Sequence, residues 1–274
     1  MALLSHCQRG DEYIAGQEAH TYKYEAGGAA VLGSIQPQPI EFEKNATLDF
    51  RKIETKIKPD DFHFARTRLL CLENTHGGKV LPFSYHQEAR TFADKHNLAL
   101  HLDGARVFHA VVKQGVTLAD ITRHYDSVSI CLSKGLGAPV GSVLCGSKVL
   151  IDDARRWRKI LGGGMRQAGV LAAAGLYALD NNIERLQDDH HHARILAEGL
   201  SGLPGITCDT NEVQTNIVYI STQTPEMADG LRAYLKTQGI MIGGGQRMRL
   251  VTHIDISLNA IEKTLGHCAN YLSQ

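Results

Sequence analysis

Lys134 closes a short apolar run, Ser127-Val-Ser-Ile-Cys-Leu-Ser-Lys134-Gly. The alternation and β-branching of that run predict a buried strand with the lysine at its tip. A second run from Asn97 ends in His101-Leu-Asp103-Gly-Ala-Arg106, so an acid and a base three residues apart close another predicted strand. An amine so placed can attack a carbonyl carbon to form a Schiff base, and a carboxylate can hold a ring nitrogen in its protonated form. Neither residue is specific alone, since a Ser-Lys-Gly turn also suits a solvated loop and Asp-Gly after a strand also suits a turn. The interval from 103 to 134 leaves room for one crossover helix between parallel strands.

Open α/β sheets bind ligands outside the carboxyl ends of their strands, and a lysine and an aspartate at neighbouring ends are what a pyridoxal phosphate site needs. Other segments carry the resemblance further: Gly16-Gln-Glu-Ala-His20, Ile35-Gln-Pro-Gln-Pro39, Leu72-Glu-Asn-Thr-His76, Cys131-Leu-Ser-Lys134-Gly-Leu-Gly137, Trp157-Arg-Lys159, Gly162-Gly-Gly-Met-Arg166-Gln and Arg249-Leu-Val-Thr-His253. Jointly, and over the whole chain, they resemble the low-specificity L-threonine aldolases, pyridoxal phosphate enzymes of fold type I. The resemblance implies reversible cleavage of L-threonine or L-allo-threonine to glycine and acetaldehyde.

It also implies roles. Lys134 is the cofactor lysine and Asp103 the partner of the pyridinium nitrogen. His20 stacks on the cofactor ring, and Arg106 hydrogen-bonds its phenolic oxygen. His63 lies near the substrate hydroxyl, with His20 and His63 both placed where a base or a base-bound water belongs. Arg249 clamps the substrate carboxylate with a bidentate fork that lysine cannot reproduce. Arg166 and the triple glycine, with Lys159 nearby, reach a cofactor phosphate, in a partner subunit. By residue type alone each has a plainer reading: His20 a satisfied strand-end histidine, His63 a packed loop residue, Arg106 a surface arginine opening a helix, Arg249 one polar position on an alternating strand. The basic run around Lys159 also suits a solvated face. Asn74 and His76 are expected on the same edge as Asp103.

Composition narrows the partners. Lys plus Arg equals Asp plus Glu, 29 each, so no basic field draws nucleic acid and no polybasic patch draws a membrane. The expected partner is a small-molecule amino acid. Six cysteines without a C-x-x-C pair, several inside apolar runs, read as reduced, buried thiols. The apolar opening Met1-Ala-Leu-Leu is too short for a signal peptide and no apolar run reaches spanning length, so a soluble, cytoplasmic protein is expected. The run Asp188-Asp-His-His-His192 invites a metal, but consecutive helical residues point 100° apart and do not converge on one ion, so no metal is expected.

At 274 residues and 43% apolar, the chain can bury a large domain and a smaller one. Strand, helix and strand alternate from Leu69 to Ser127, the pattern of a mostly parallel sheet. A surface helix is expected within residues 41–60, a helix over Pro82–Asn97, and one over Val107–Tyr125 broken near Gly115 with Thr117 capping its second part. Gly141–Gly146 reads as a returning strand, making the sheet mixed. The expected architecture is an α/β, aspartate-aminotransferase-like large domain over 1–182 and a small C-terminal α+β domain over 183–274. The family is expected to work as a homodimer or homotetramer with active sites at the subunit interface. Met1 to Cys7 reads as the end of a helix, and by resemblance the chain starts after an N-terminal arm and a phosphate-cupping loop, so an N-terminally truncated chain is expected. That leaves two alternatives: a non-catalytic fragment or homologue lacking the loop, or another fold type I lyase sharing Asp103 and Lys134 but not the two histidines.

Overall fold

The computed structural model describes residues 1–273. It divides into two units, Met1–His76 with Val80–Asp180, and Gly77–Lys79 with residues 181–273. The strands of the first unit are β1 (Asp11–Gly16), β2 (Gln36–Ile40), β3 (Arg66–Glu73), β4 (Ala99–Gly104), β5 (Ser127–Cys131) and β6 (Ser142–Gly146). They form one sheet in the order β2-β1-β3-β4-β5-β6. All neighbours pair in parallel except β5 and β6, so the sheet is mixed as the returning strand implied. Leu69, Leu70, Leu100 and Leu102 are completely buried. Burial on both faces is why β3 and β4 read as near-continuous apolar runs.

The helices of this unit are α1 (Ala2–His6), α2 (His20–Lys23), α3 (Gly28–Gly33), α4 (Phe50–Glu54), α5 (Phe83–Lys95), α6 (Val107–Gln114), α7 (Leu118–Thr122), α8 (Lys148–Ile160) and α9 (Gly169–Asn181). The break at Gly115 is a left-handed C-cap with φ of 65°, and Thr117 and Asp120 then form a reciprocal capping box. The region 41–60 is less helical than expected. The Asn45 carboxamide takes the Thr47 N–H at 3.2 Å and turns the chain, Leu48 bridges to Phe42, and only α4 remains, capped by Asp49. The strand β2 was not evident because Pro37 and Pro39 argue against pairing. It lies at the sheet edge, where a missing N–H costs no ladder bond on the outer side.

The second unit holds α10 (Leu186–Ser201), β7 (Ile206–Thr207), β8 (Ile217–Thr222), α11 (Pro225–Thr237), β9 (Arg247–Val251) and α12 (Leu258–Leu272). Its antiparallel sheet runs β7-β8-β9. Val218, Ile220, Leu231, Leu235 and Met248 fill its core. No helix among the described residues is long and apolar enough to cross a membrane, and those residues hold no group of three or more His, Cys, Asp or Glu placed for a metal. Of the cysteines expected to be buried, Cys7, Cys71 and Cys268 are, whereas Cys131 and Cys208 are half-buried and Cys145 is exposed, because β6 is an edge strand.

Candidate active site

Four adjacent parallel strands bring their carboxyl ends to one edge of the sheet. Beyond β1 comes His20, which opens α2. The strand β3 ends in Glu73, followed by Asn74, Thr75 and His76. The strand β4 ends at Asp103 and Gly104, with Arg106 at the N-cap of α6, and β5 leads through Leu132 and Ser133 to Lys134. Gly104 permits the tight β4–β5 approach, because a β-carbon there would lie 2.9 Å from the Ser129 carbonyl oxygen.

Asp103 accepts the Ala105 N–H at 3.1 Å. Its proton affinity is raised, first by burial and then by the Glu73 carboxylate beside it. The charges of Lys134 and His20 act in the opposite direction. A cationic ring nitrogen is what such a carboxylate lacks. Glu73 and Asp103 are partners in the β3–β4 register. Glu73 takes the His20 N–H on Oε2 at 2.7 Å and faces His76 Nδ1 with Oε1 at 2.9 Å. The His20 side chain is 41% exposed, its ring 4.9 Å from that of Tyr24, so a flat ligand can reach it.

On the Asp103 face of the sheet, farther from the edge, runs a buried chain of hydrogen bonds. His6 Nε2 and His101 Nδ1 meet the Ser127 hydroxyl at 2.6 and 2.7 Å, and Ser129 Oγ lies 3.3 Å from His101 Nε2. Burial, then His6, lowers His101 to about 3, so the ring is neutral. Lys134 sits in a closed loop: Gly137 N–H donates to the Lys134 carbonyl, Ala138 N–H to Leu132, and Leu132 N–H to Gly141, at 2.9–3.0 Å.

The residues present fit pyridoxal phosphate. An amine, a carboxylate of raised proton affinity and an imidazole face share one strand edge, and the buried Asn74 Nδ2 and Thr75 Oγ1 have no hydrogen-bond partner there. Lys134, Asp103, Arg106 and His20 are thus brought together. His63 is not. It precedes β3, so the eight-residue strand, about 25 Å at 3.3 Å per residue, separates it from Glu73. Its ring is exposed and pairs with Asp61 at 2.7 Å. Lys159 and Arg166 are exposed at and beyond the end of α8. Arg249 is exposed on β9 in the second unit, opposite Tyr219, whose ring carries the Arg247 guanidinium at 4.3 Å. Glu73 and His101 were missed from sequence. Their signal is the period of two that puts Glu73 with Cys71, and Asp103 with His101, on one face.

The chain matches the β-eliminating lyase family over residues 1–223. It is 53% identical over 274 residues to the low specificity L-threonine aldolase of Escherichia coli K12, covering all of this chain and 81% of that protein. It is 41% identical over 276 residues to low-specificity L-threonine aldolase 1 of Arabidopsis thaliana, covering 97% of this chain and 77% of that one. A threonine aldolase structure from Leishmania major shares the fold, with a TM-score of 0.80 at 20% identity, over 99% of this chain and 80% of the other. The sheet order, the lysine and aspartate at its edge and these likenesses agree that the chain belongs to the β-eliminating lyases and, among them, to the threonine aldolase family.

Proposed function

We infer that the chain is a pyridoxal phosphate-dependent lyase that cleaves L-threonine to glycine and acetaldehyde, and L-allo-threonine likewise. The observation that carries this is Lys134 beside Asp103 on the edge formed by parallel strands, in a chain 53% identical to a low specificity L-threonine aldolase. When bound, the cofactor supplies an aldehyde for an amine and a ring that takes up the electron pair of the broken Cα–Cβ bond. The chain supplies the rest. Lys134 would hold the cofactor through its side-chain amine. Asp103 holds the ring-nitrogen proton, and Arg106 keeps the ring oxygen anionic. His20 covers the ring face, and Arg249 holds the substrate carboxylate with a two-pronged fork. Loss of the β-hydroxyl proton drives the cleavage, and a base or base-bound water near His20 takes it.

His63 precedes β3, and Lys159 and Arg166 are exposed at and beyond the end of α8; we propose that these residues serve the site of a second copy of the chain. Support for such a homo-oligomer is the apolar surface formed by Ile160, Met165, Val170 and Leu176, each at least 62% exposed. Sedimentation of the purified chain checks it, a monomer being the contrary result. We place the large and small domains at 1–182 and 183–274, and the protein in the cytoplasm, where its six free thiols stay reduced.

The test is a titration of the purified chain with pyridoxal phosphate, followed by an acetaldehyde assay with L-threonine. A saturable visible band that Lys134→Ala abolishes, together with acetaldehyde release, is expected. A wild-type chain that forms no such band and releases no acetaldehyde overturns the reading.

A further inference from the structure

Glu73 has no place in the roles drawn above, yet its carboxylate is held at both oxygens on the site edge. Its side chain is only 7% exposed, and each oxygen is engaged. One takes the main-chain N–H of His20, 53 residues earlier in the chain. The other takes His76 Nδ1, whose ring stacks on Phe42 with centroids 3.8 Å apart and planes 14° from parallel. Phe42 in turn lies against Gly16 at the end of β1. The carboxylate therefore joins the end of β1 to the end of β3. Across the register it also faces Asp103 on β4.

A buried carboxylate is expensive unless its oxygens are satisfied, and two such groups side by side repel. The oxygens of Glu73 are satisfied, so what remains unfavourable is its repulsion with Asp103. A cation arriving between the strands gains from both charges.

We propose that Glu73 is a positioning residue for the cofactor: its hydrogen bond fixes the His20 end of α2, and its fixed negative charge strengthens the hold of Asp103 on a cationic ring nitrogen. This rests on the pyridoxal phosphate reading of the site. The two contributions separate by substitution. Glu73→Gln keeps an acceptor for the His20 N–H and removes the charge, whereas Glu73→Ala removes both. The titratable groups acting on Asp103 across these strands are Glu73, Lys134 and His20, with His76 paired to Glu73, so a change at Glu73 is read with the other three left in place.

The experiment is carbon- and nitrogen-detected NMR on the cofactor-free chain, followed by a pyridoxal phosphate titration of the same samples. In the cofactor-free chain the Asp103 carboxyl titration midpoint is expected to fall by about one pH unit in both variants, a tenfold change in proton affinity. The His20 amide proton is expected to stay near its wild-type position in Glu73→Gln and to move upfield in Glu73→Ala. On titration, the pyridoxal phosphate dissociation constant is expected to rise about tenfold in Glu73→Gln and further in Glu73→Ala. An Asp103 midpoint and a His20 amide unchanged in Glu73→Ala overturn the positioning role. A wild-type chain that fails to take up pyridoxal phosphate while both NMR signals respond overturns the cofactor reading instead.

Discussion

The ring of Phe42 occupies the space a side chain at Gly16 would need: a β-carbon there would lie 2.0 Å from Phe42 Cζ. The same ring stacks on His76, which faces Glu73. Gly16→Ala must therefore displace Phe42 and disturb the site edge through it. The expected outcome is a loss of about 1–3 kcal/mol of stability, as for overpacking elsewhere, with a weaker hold on pyridoxal phosphate. Thermal unfolding and cofactor titration check it. Gly27→Ala, where no atom lies within 4 Å of the new methyl, is the contrast. It changes stability only through the left-handed backbone at φ 68° and leaves cofactor binding as it was.

On the function proposed above, Asp103→Ala removes the anion that would hold the ring-nitrogen proton. Activity on L-threonine is expected to fall on the order of 10²–10³-fold, the usual cost of losing one preorganised electrostatic partner. The far-ultraviolet circular dichroism spectrum should be unchanged, because Asp103 carries no core packing at the end of its strand. Single-turnover rates with threonine are the measurement.

Arg249→Lys keeps the charge and loses the planar fork. Recognition of the substrate carboxylate should suffer before the chemistry does, so KM for L-threonine is expected to rise about tenfold or more while kcat changes less. Steady-state kinetics decide this, and an equal fall in kcat with constant KM contradicts it.

Acid should destabilise the fold from about pH 6.5 downwards through two buried histidines. Burial lowers His86 to about 4, with His124 adding to the effect, and burial with His6 lowers His101 to about 3. In the unfolded chain both titrate near 6.5. Below that pH the unfolded state binds more protons, so stability is lost as pH falls from about 6.5 towards these folded values. Two protons give a slope of up to about 2.7 kcal/mol per pH unit. Urea unfolding at pH 7, 6, 5 and 4 reads it, and His101→Asn should flatten the curve.

Lys134 and Asp103 were legible in the sequence because each is a charge at the end of an apolar run, and such runs mark strands buried on both faces. The break at Gly115 was legible for an equally local reason, a glycine followed by a capping threonine. Glu73 was not, since within Glu-Asn-Thr-His it is one polar residue among four, and what distinguishes it is a bond to a main chain 53 residues away. The His6 to Ser127 contact spans 121 residues and has no local trace. β2 was hidden by its prolines, which only a sheet edge accommodates. His63 was placed near the substrate by resemblance, although its position before the apolar run of β3 already put it at the opposite end of that strand from Glu73.

The loop from Leu132 to Gly141 is tied at its base by the Leu132–Gly141 hydrogen bond and flanked by β5 and the antiparallel β6. On the function proposed above, the lysine that would hold the cofactor is mounted on a backbone anchored both before and behind. Its travel is confined to the torsions of one side chain, which reorient in nanoseconds without any strand having to open. The side chain can therefore move while these main-chain hydrogen bonds stay closed, and the peptide N–H groups of Leu132 and Ala138 should resist hydrogen exchange equally well in resting and in turning-over enzyme.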